Sequence, residues 1–370
     1  MTSPLFTPIT LRSLTLPNRV VISPMCQYSA EDGKANDWHL QHYGHLSVSG
    51  AGLMMLEAIA VTPEGRITRG CLGLYADDNE RSLARVIAAC RRFGNTRIGI
   101  QLAHAGRKGS AHRPWEGGRA LGAQEGAWET VAPSAIAYGE HWPVPRAMGR
   151  DDLERIKQAF VTAVERAARL SLDVVELHAA HGYLLHEFLS PLANRRDDEY
   201  GGSAKNRMRY PLEIARAMRA AWPADRPMGV RISGSDWVEG GLTVDDAVAF
   251  ARALRELGCD YVCVSSGGLA PQARIPVGPG YQVAFAARIK AEVGIATRTV
   301  GMIVRPKQAE EIIASGQADM VALGRALLDN PRWVWHAAQA LGAEVTYPPQ
   351  YERSRAALWP GARLARPEEG

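Results

Sequence analysis

The pattern that most restricts this chain is a recurrence. Eight short apolar runs, rich in Val, Ile and Leu, are spaced through 370 residues: 19–25, 52–61, 97–105, 173–179, 228–233, 261–266, 298–302 and 319–324. They lack the strict alternation of a half-exposed strand, and fully buried parallel strands read this way. Amphipathic helical patterns lie between them. Over 151–171 an acidic start leads into a stripe of Ile156, Phe160, Ala163, Val164 and Ala167. Over 243–258 a threonine cap opens the segment and a glycine closes it, and 305–316 has a similar design. Eight strands alternating with helices predict an α/β fold, a barrel or a doubly wound sheet.

A barrel predicts reactive residues at the C-terminal ends of several different strands. Ser23 to Tyr28 follow the first run, Gln101 and His104 close the third, and His178 closes the fourth. Arg231 lies in the fifth, Gly301 ends the seventh, and Gly324 with Arg325 ends the eighth. This distribution favours a single (β/α)8 barrel over 1–360. One connection is too long: 106–150 holds glycines, prolines and tryptophans with no sustained period, which predicts a lid over the barrel mouth. The last ten residues, 361–370, read as a disordered tail.

The 43 basic and 39 acidic residues are well mixed, and a net charge of +4 is too weak for a nucleic-acid footprint. Cysteines 26, 71, 90, 259 and 263 are odd in number and scattered, so no disulfide framework or iron–sulfur cluster is expected. The N-terminus has no secretory pattern, and no apolar run approaches a membrane span. A cytoplasmic location without membrane attachment is the expectation.

Two features carry chemistry. The loops after the seventh and eighth runs, TVGMI and ALGRALL, follow one design: glycine where a backbone can approach a phosphate, then a helix start, with Arg325 adding charge. No GxGxxG follows a strand and opens a helix, so a phosphorylated cofactor across the barrel mouth is favoured over a Rossmann-bound dinucleotide. The second feature is HAAHGY, 178–183. His178 and His181 could hold a metal with Glu176 or Glu187, as in a barrel hydrolase. Alternatively both imidazoles polarise one carbonyl oxygen while Tyr183 acts as a general acid, which requires a redox cofactor. A noncatalytic phosphate-ligand sensor is a third reading.

These segments resemble the old yellow enzyme family of FMN-dependent ene reductases, in its cysteine-bearing bacterial branch, which includes xenobiotic reductases. The resemblance runs from LFTPITLRSLTLPNRVVISPMCQYSA through AHAGRK, VELHAAHGYLLHEFLSPLANRRDDEYGGSAKNRMR, VRIS and VGMI to ALGRALLDNP. It implies a tightly but noncovalently held FMN, with Ser23, Pro24, Met25, Cys26, Ala58 and Gln101 about the flavin ring. Arg231 would lie near flavin N1 and O2. Gly301, Met302, Gly324 and Arg325 would hold the phosphate. His178 and His181 would grip the carbonyl of an α,β-unsaturated aldehyde, ketone or imide, and Tyr183 would protonate its α carbon after hydride transfer to the β carbon. Cys26 and Tyr28 would face the substrate. NADPH, or NADH, would be the reductant in a ping-pong cycle. No metal is implied. Relatives carry a QYER segment whose arginine reaches a neighbouring subunit, so a homodimer or higher homo-oligomer is expected, with Arg353 and Trp359 the candidates to cross.

Overall fold

The computed structural model describes residues 3–364. In chain order the strands are β1 (Ile9–Leu11), β2 (Leu14–Leu16), β3 (Val20–Ile22), β4 (Leu53–Ala60), β5 (Arg97–Ala103), β6 (Val131–Ala132), β7 (Arg146–Ala147), β8 (Val174–Ala179), β9 (Met228–Ser233), β10 (Tyr261–Ser265), β11 (Ala296–Val300) and β12 (Met320–Leu323). The eight expected runs become β3, β4, β5, β8, β9, β10, β11 and β12, all parallel and closed in that order into one barrel. The outer layer holds α1 (Asp37–Ser47), α2 (Asp77–Phe93), α3 (Arg150–Arg169), α4 (Leu184–Leu189), α5 (Ala204–Ala221), α6 (Val244–Glu256), α7 (Val283–Val293), α8 (Pro306–Ala314), α9 (Arg325–Asp329) and α10 (Trp333–Ala340). The expected stripe of α3 is fully buried, and Thr243 caps α6 by accepting from the Asp246 amide.

Strand alternation sorts side chains into two cores. Val175 and Leu177 of β8 face the helices, where the main apolar cluster lies. Val174 faces the barrel interior with Val21, Leu53, Met55, Tyr261, Cys263 and Met320. Leu11, Leu14 and Leu16 of the β1–β2 hairpin join this inner cluster and plug the barrel's lower end. Two residues further along β8, Glu176 points into the same interior. It accepts from Gln101 Nε2 at 2.8 Å and from the Tyr261 hydroxyl at 2.8 Å, and it pairs with the guanidinium of Arg298. The Tyr261 ring crosses to this pair only because position 229 is glycine: a Cβ there would lie 2.1 Å from the ring. A polar layer thus sits on an apolar plug, and the mouth residues stand on it.

The insertion at 106–150 forms three 3-10 turns and the short β6–β7 pair. At the other end of the chain, Pro360–Arg363 is a 3-10 turn with Ala362 buried, so the first part of the expected tail is packed. Residues 365–370 lie outside the described residues. Among the described residues no helix is long and apolar enough to cross a membrane.

Removing one partner of a buried ion pair leaves the other charge uncompensated, at a cost of roughly 3–5 kcal/mol. Glu176→Gln is therefore expected to lower stability by about that amount through Arg298 alone, read as a reduced urea-unfolding midpoint.

Candidate active site

The C-terminal ends of the barrel strands build one pit. Period-two alternation carries His178 into it two residues above Glu176, and the register sets Arg231 of β9 directly beside His178. His181 lies on the turn after β8 with φ +60°, a left-handed conformation; its amide donates to Ser233 Oγ at 3.2 Å. This turn brings the rings of His178 and His181 edge to face, centroids 5.1 Å apart, with His178 Nε2 3.4 Å from His181 Nδ1. Tyr183, the residue preceding α4, sets its ring 5.0 Å from that of His178.

The hydrogen bonds constrain the protons. His178 Nδ1 accepts from the Ala180 amide at 3.3 Å, so its proton sits on Nε2. Ser265 Oγ of β10 donates to Gln282 Oε1 at 3.2 Å and accepts from His181 Nε2 at 2.7 Å, so the His181 proton sits on Nε2. Burial first, then the charge of Arg231, holds both imidazoles well below the ordinary histidine range, so both are neutral near pH 7. Burial pushes the Tyr183 phenol well above its usual range, and the nearby acidic groups of Cys26 and Tyr28 add to this. It holds its proton at neutral pH.

The loop after β3 forms the opposite wall. Tyr28 (φ +51°) bonds to Cys26 through their side chains, and its carbonyl accepts from Arg113 Nε of the insertion at 2.8 Å. Cys26 is half-buried and meets the Ala58 backbone; Ala58 lies opposite Gln101 across β4 and β5. Ser23 is buried, with its amide on the Leu323 carbonyl, while Pro24 and Met25 are partly open. Gly301 has φ +124°, and a Cβ there would meet Gln282 Nε2 at 2.6 Å, so the turn after β11 requires glycine. Met302 is 38% exposed, Gly324 precedes α9, and Arg325 opens to solvent. Arg353 and Trp359 lie on the C-terminal segment, both exposed, with no hydrogen bond or ion pair to the histidine site among the described residues. That segment instead stacks Tyr347 on Trp335 at 4.1 Å.

Sequence reasoning missed Lys108. Its ammonium donates to the carbonyls of His181 at 2.9 Å and Gly268 at 2.8 Å, and it stands over the rings of Tyr138 and Tyr183 at 4.8 and 5.1 Å. Arg107 beside it donates to the carbonyls of Ile136, Ala137 and Leu269. Together they tie the insertion to the loop after β10. Glu187 lies buried beneath them, accepting from the Arg107 amide at 2.9 Å. The quoted AHAGRK segment was the one signal, but nothing local distinguished its lysine.

Metal ligation fits poorly. Glu176 is committed to Arg298, Gln101 and Tyr261, and Glu187 accepts from the Arg107 amide through Oε1; among the described residues no group of three His, Cys, Asp or Glu side chains converges to hold a metal ion. A flavin mononucleotide fits well. Arg231 is buried, and its Nε has no partner among the described residues, a donor suited to an electron-rich ring edge. The open residues Pro24 and Met25, the Gly301 turn and Arg325 border the same mouth.

Fold and site together define a flavin-dependent oxidoreductase built on a (β/α)8 barrel. Comparison with known proteins gives the particular group: residues 4–344 match the model of the NADH:flavin oxidoreductase / NADH oxidase family. The chain is 47% identical over 355 residues to the NADPH dehydrogenase of Geobacillus thermodenitrificans (strain NG80-2), covering 95% of this chain and 99% of that protein. It is 44% identical over 355 residues to the NADPH dehydrogenase of Bacillus subtilis (strain 168), again over 95% and 99%. Among solved structures it superposes on morphinone reductase with TM-score 0.77 and 28% identity, covering 95% of this chain and 93% of that one. A 2-naphthoyl-CoA reductase complex matches with TM-score 0.82 at 24% identity; the chain spans about half of that structure (53%), and this likeness concerns the fold alone. The chain belongs to the NADH:flavin oxidoreductase / NADH oxidase family, the old yellow enzyme family that its motifs resemble. It is an enzyme whose cofactors are FMN and a reduced nicotinamide.

Burial lowers the Lys108 pKa to about 8. Between about pH 8 and the ordinary lysine value, the unfolded chain binds a proton that the folded chain lacks, so this group's contribution to stability rises with pH across that window. The gap in thermal midpoint between wild type and Lys108→Met is expected to move a few degrees in favour of wild type from pH 7.5 to 10. Differential scanning calorimetry at both pH values checks this.

Proposed function

We propose that this enzyme is an NADPH-dependent ene reductase acting on α,β-unsaturated aldehydes, ketones or imides, with NADH as a second donor. The observation that carries the reading is the pair of neutral imidazoles 3.4 Å apart beside Tyr183. The relatives named NADPH dehydrogenase and the structural likeness to morphinone reductase support it. So does a morphinone reductase structure in complex with tetrahydroNAD, matched at TM-score 0.74 and 28% identity.

Ser23, Pro24, Met25, Cys26, Ala58, Gln101 and Arg231 would hold the flavin ring, and Gly301, Met302, Gly324 and Arg325 its phosphate. When bound, FMN supplies the hydride for the β carbon, having been reduced by the nicotinamide. The chain's residues do the rest. Ser265 donates to Gln282 Oε1 and so accepts from His181 Nε2, which leaves His181 Nδ1 to accept from His178 Nε2–H in the resting site. A carbonyl oxygen entering between the rings would take over the His178 Nε2–H bond, and with His181 in its other tautomer it would accept from both imidazoles. A substrate carbonyl held there becomes electron-poor at its β carbon. Tyr183 keeps its proton at neutral pH and gives it to the α carbon. Cys26 and Tyr28 would line the substrate's other side. Because the β1–β2 hairpin closes the lower end, both reactants use one mouth, which favours ping-pong kinetics.

A homodimer or larger homo-oligomer is part of this reading, with Arg353 and Trp359 reaching a neighbouring copy's mouth. Phe93, Leu358 and Trp359, exposed in the single chain, support it. The five free cysteines fit a cytoplasmic location.

An anaerobic visible spectrum is the direct test. The protein should be yellow, bleach with NADPH and recover with cyclohexenone; a preparation that stays colourless after incubation with FMN would sink the reading. In stopped-flow measurements Tyr183→Phe should slow reoxidation by the enone about 10²–10⁴-fold while flavin reduction by NADPH stays nearly intact. His178→Ala or His181→Ala should weaken phenolate-like ligands by roughly 10–100-fold, the loss of one hydrogen bond to a charged oxygen.

A further inference from the structure

Glu57 is a completely buried carboxyl group that the proposed chemistry leaves unused. Its orientation comes from a bulge. Along β4 and β5, Met55 pairs with Gly99, but the next pair in register is Ala58 with Gln101. One extra residue therefore stands in β4 between them. A bulge re-aims the side chains around it. Ala58 is returned to the row of Gln101, and Glu57 faces α1 and the loop after β3.

There Glu57 is gripped from three elements. The Tyr43 hydroxyl of α1 donates to Oε1 at 3.0 Å and accepts from the Glu57 amide at 3.0 Å. The Gln27 amide donates to Oε2 at 3.3 Å, and the Leu72 backbone adds another bond. His39 Nε2 lies 3.6 Å from Oε1, and burial keeps this imidazole neutral, with a pKa of about 4. The other titratable groups under its influence are Cys26, Tyr28 and Cys71. No guanidinium or ammonium reaches Glu57 within ion-pair distance among the described residues. Gln27 directly follows Cys26, so the bond to its amide fixes the backbone that carries the thiol.

We propose that Glu57 is a positioning residue for the reacting face: it grips the loop after β3 at Gln27 and so sets the placement and surroundings of the Cys26 thiol. The proposal rests on the reading that Cys26 belongs to the flavin and substrate wall, but the coupling of Glu57 to the thiol can be measured separately. Burial lifts the Glu57 carboxyl to about 8, so its charge appears as the medium becomes alkaline. That charge opposes thiolate formation at Cys26, whose pKa is raised by burial, by Cys71 and by Glu57. Glutamine keeps an oxygen for the Gln27 amide and removes the charge. Alanine removes both.

The test is the rate of iodoacetamide alkylation at Cys26 in the purified holoenzyme from pH 7 to 10, followed by mass spectrometry of the Cys26 peptide. Glu57→Gln should shift the rate profile to lower pH and raise the rate at pH 9 about threefold or more, equivalent to half a pKa unit. Tyr43→Phe, which removes the hydroxyl that holds Oε1, should change the same profile and covers the case in which Glu57 variants fold poorly. Glu57→Ala should raise the alkylation rate across the whole range by freeing the loop. Profiles for Glu57→Gln and Tyr43→Phe that superimpose on wild type would overturn the proposal. Flavin content, read from the visible spectrum of the same samples, reports separately on the parent reading: a wild type without flavin defeats that reading and leaves the alkylation result to decide the Glu57 coupling.

Discussion

The ion pair of Arg298 and Glu176 in the middle of the barrel is the constraint on which the site stands. Two charges taken out of water are costly unless their hydrogen-bonding capacity is met: Gln101 and Tyr261 meet that of the carboxylate, while Arg298 leaves Nε and Nη1 without a hydrogen-bond partner among the described residues and lies over the Tyr261 ring at 5.2 Å. Four strands are thereby held in one register. Since side chains alternate with period two, register decides which residues surface at the mouth: with Glu176 inside, His178 must be inside as well, and Arg231 must be its neighbour. A slip of one residue would turn the histidine out among the helices. The same layer divides the barrel into an apolar lower part and a polar upper part, so the mouth residues stand on a packed floor.

Above that floor the electrostatics work in one direction. Burial and the Arg231 charge both disfavour a second cation, so the imidazoles remain neutral. Burial also keeps the phenol of Tyr183 protonated. The site thus combines neutral donors with the cations Arg231 and Lys108. For the proposed reaction such a set would polarise a carbonyl, whereas imidazolium groups would hold a product enolate tightly and slow its protonation.

Much of this architecture was legible in the sequence. Buried parallel strands advertise themselves as continuous apolar runs, and all eight fell where the runs lay. The (β/α)8 order then placed His178, Arg231, Gly301 and Gly324 near one end of the barrel. The β1–β2 hairpin was not legible, because three-residue strands carry too little pattern to separate from a loop. Lys108 was missed for a different reason. Its two acceptors are backbone carbonyls 73 and 160 residues away, and any residue can present a carbonyl. Glu57 was hidden by the bulge: alternation read straight along β4 sends it into the barrel beside Met55, whereas the extra residue turns it towards α1. The packed turn at Pro360–Arg363 was concealed by its composition, since a Gly- and Arg-rich end carries no apolar period.

The fastening of the insertion has a further consequence. Arg107 and Lys108 anchor its start, and they do so through carbonyl oxygens, which persist whatever side chains occupy those positions. Arg196 does the same near its end, donating to the carbonyls of Pro133 and Met148. Side chains between these anchors could therefore change without loss of the carbonyl contacts that fasten the insertion, except where they touch the site itself, as Arg113 does at the Tyr28 carbonyl and Tyr138 does beneath Lys108. Redesign of the stretch has fixed points to work from: the two anchored ends and these two contacts.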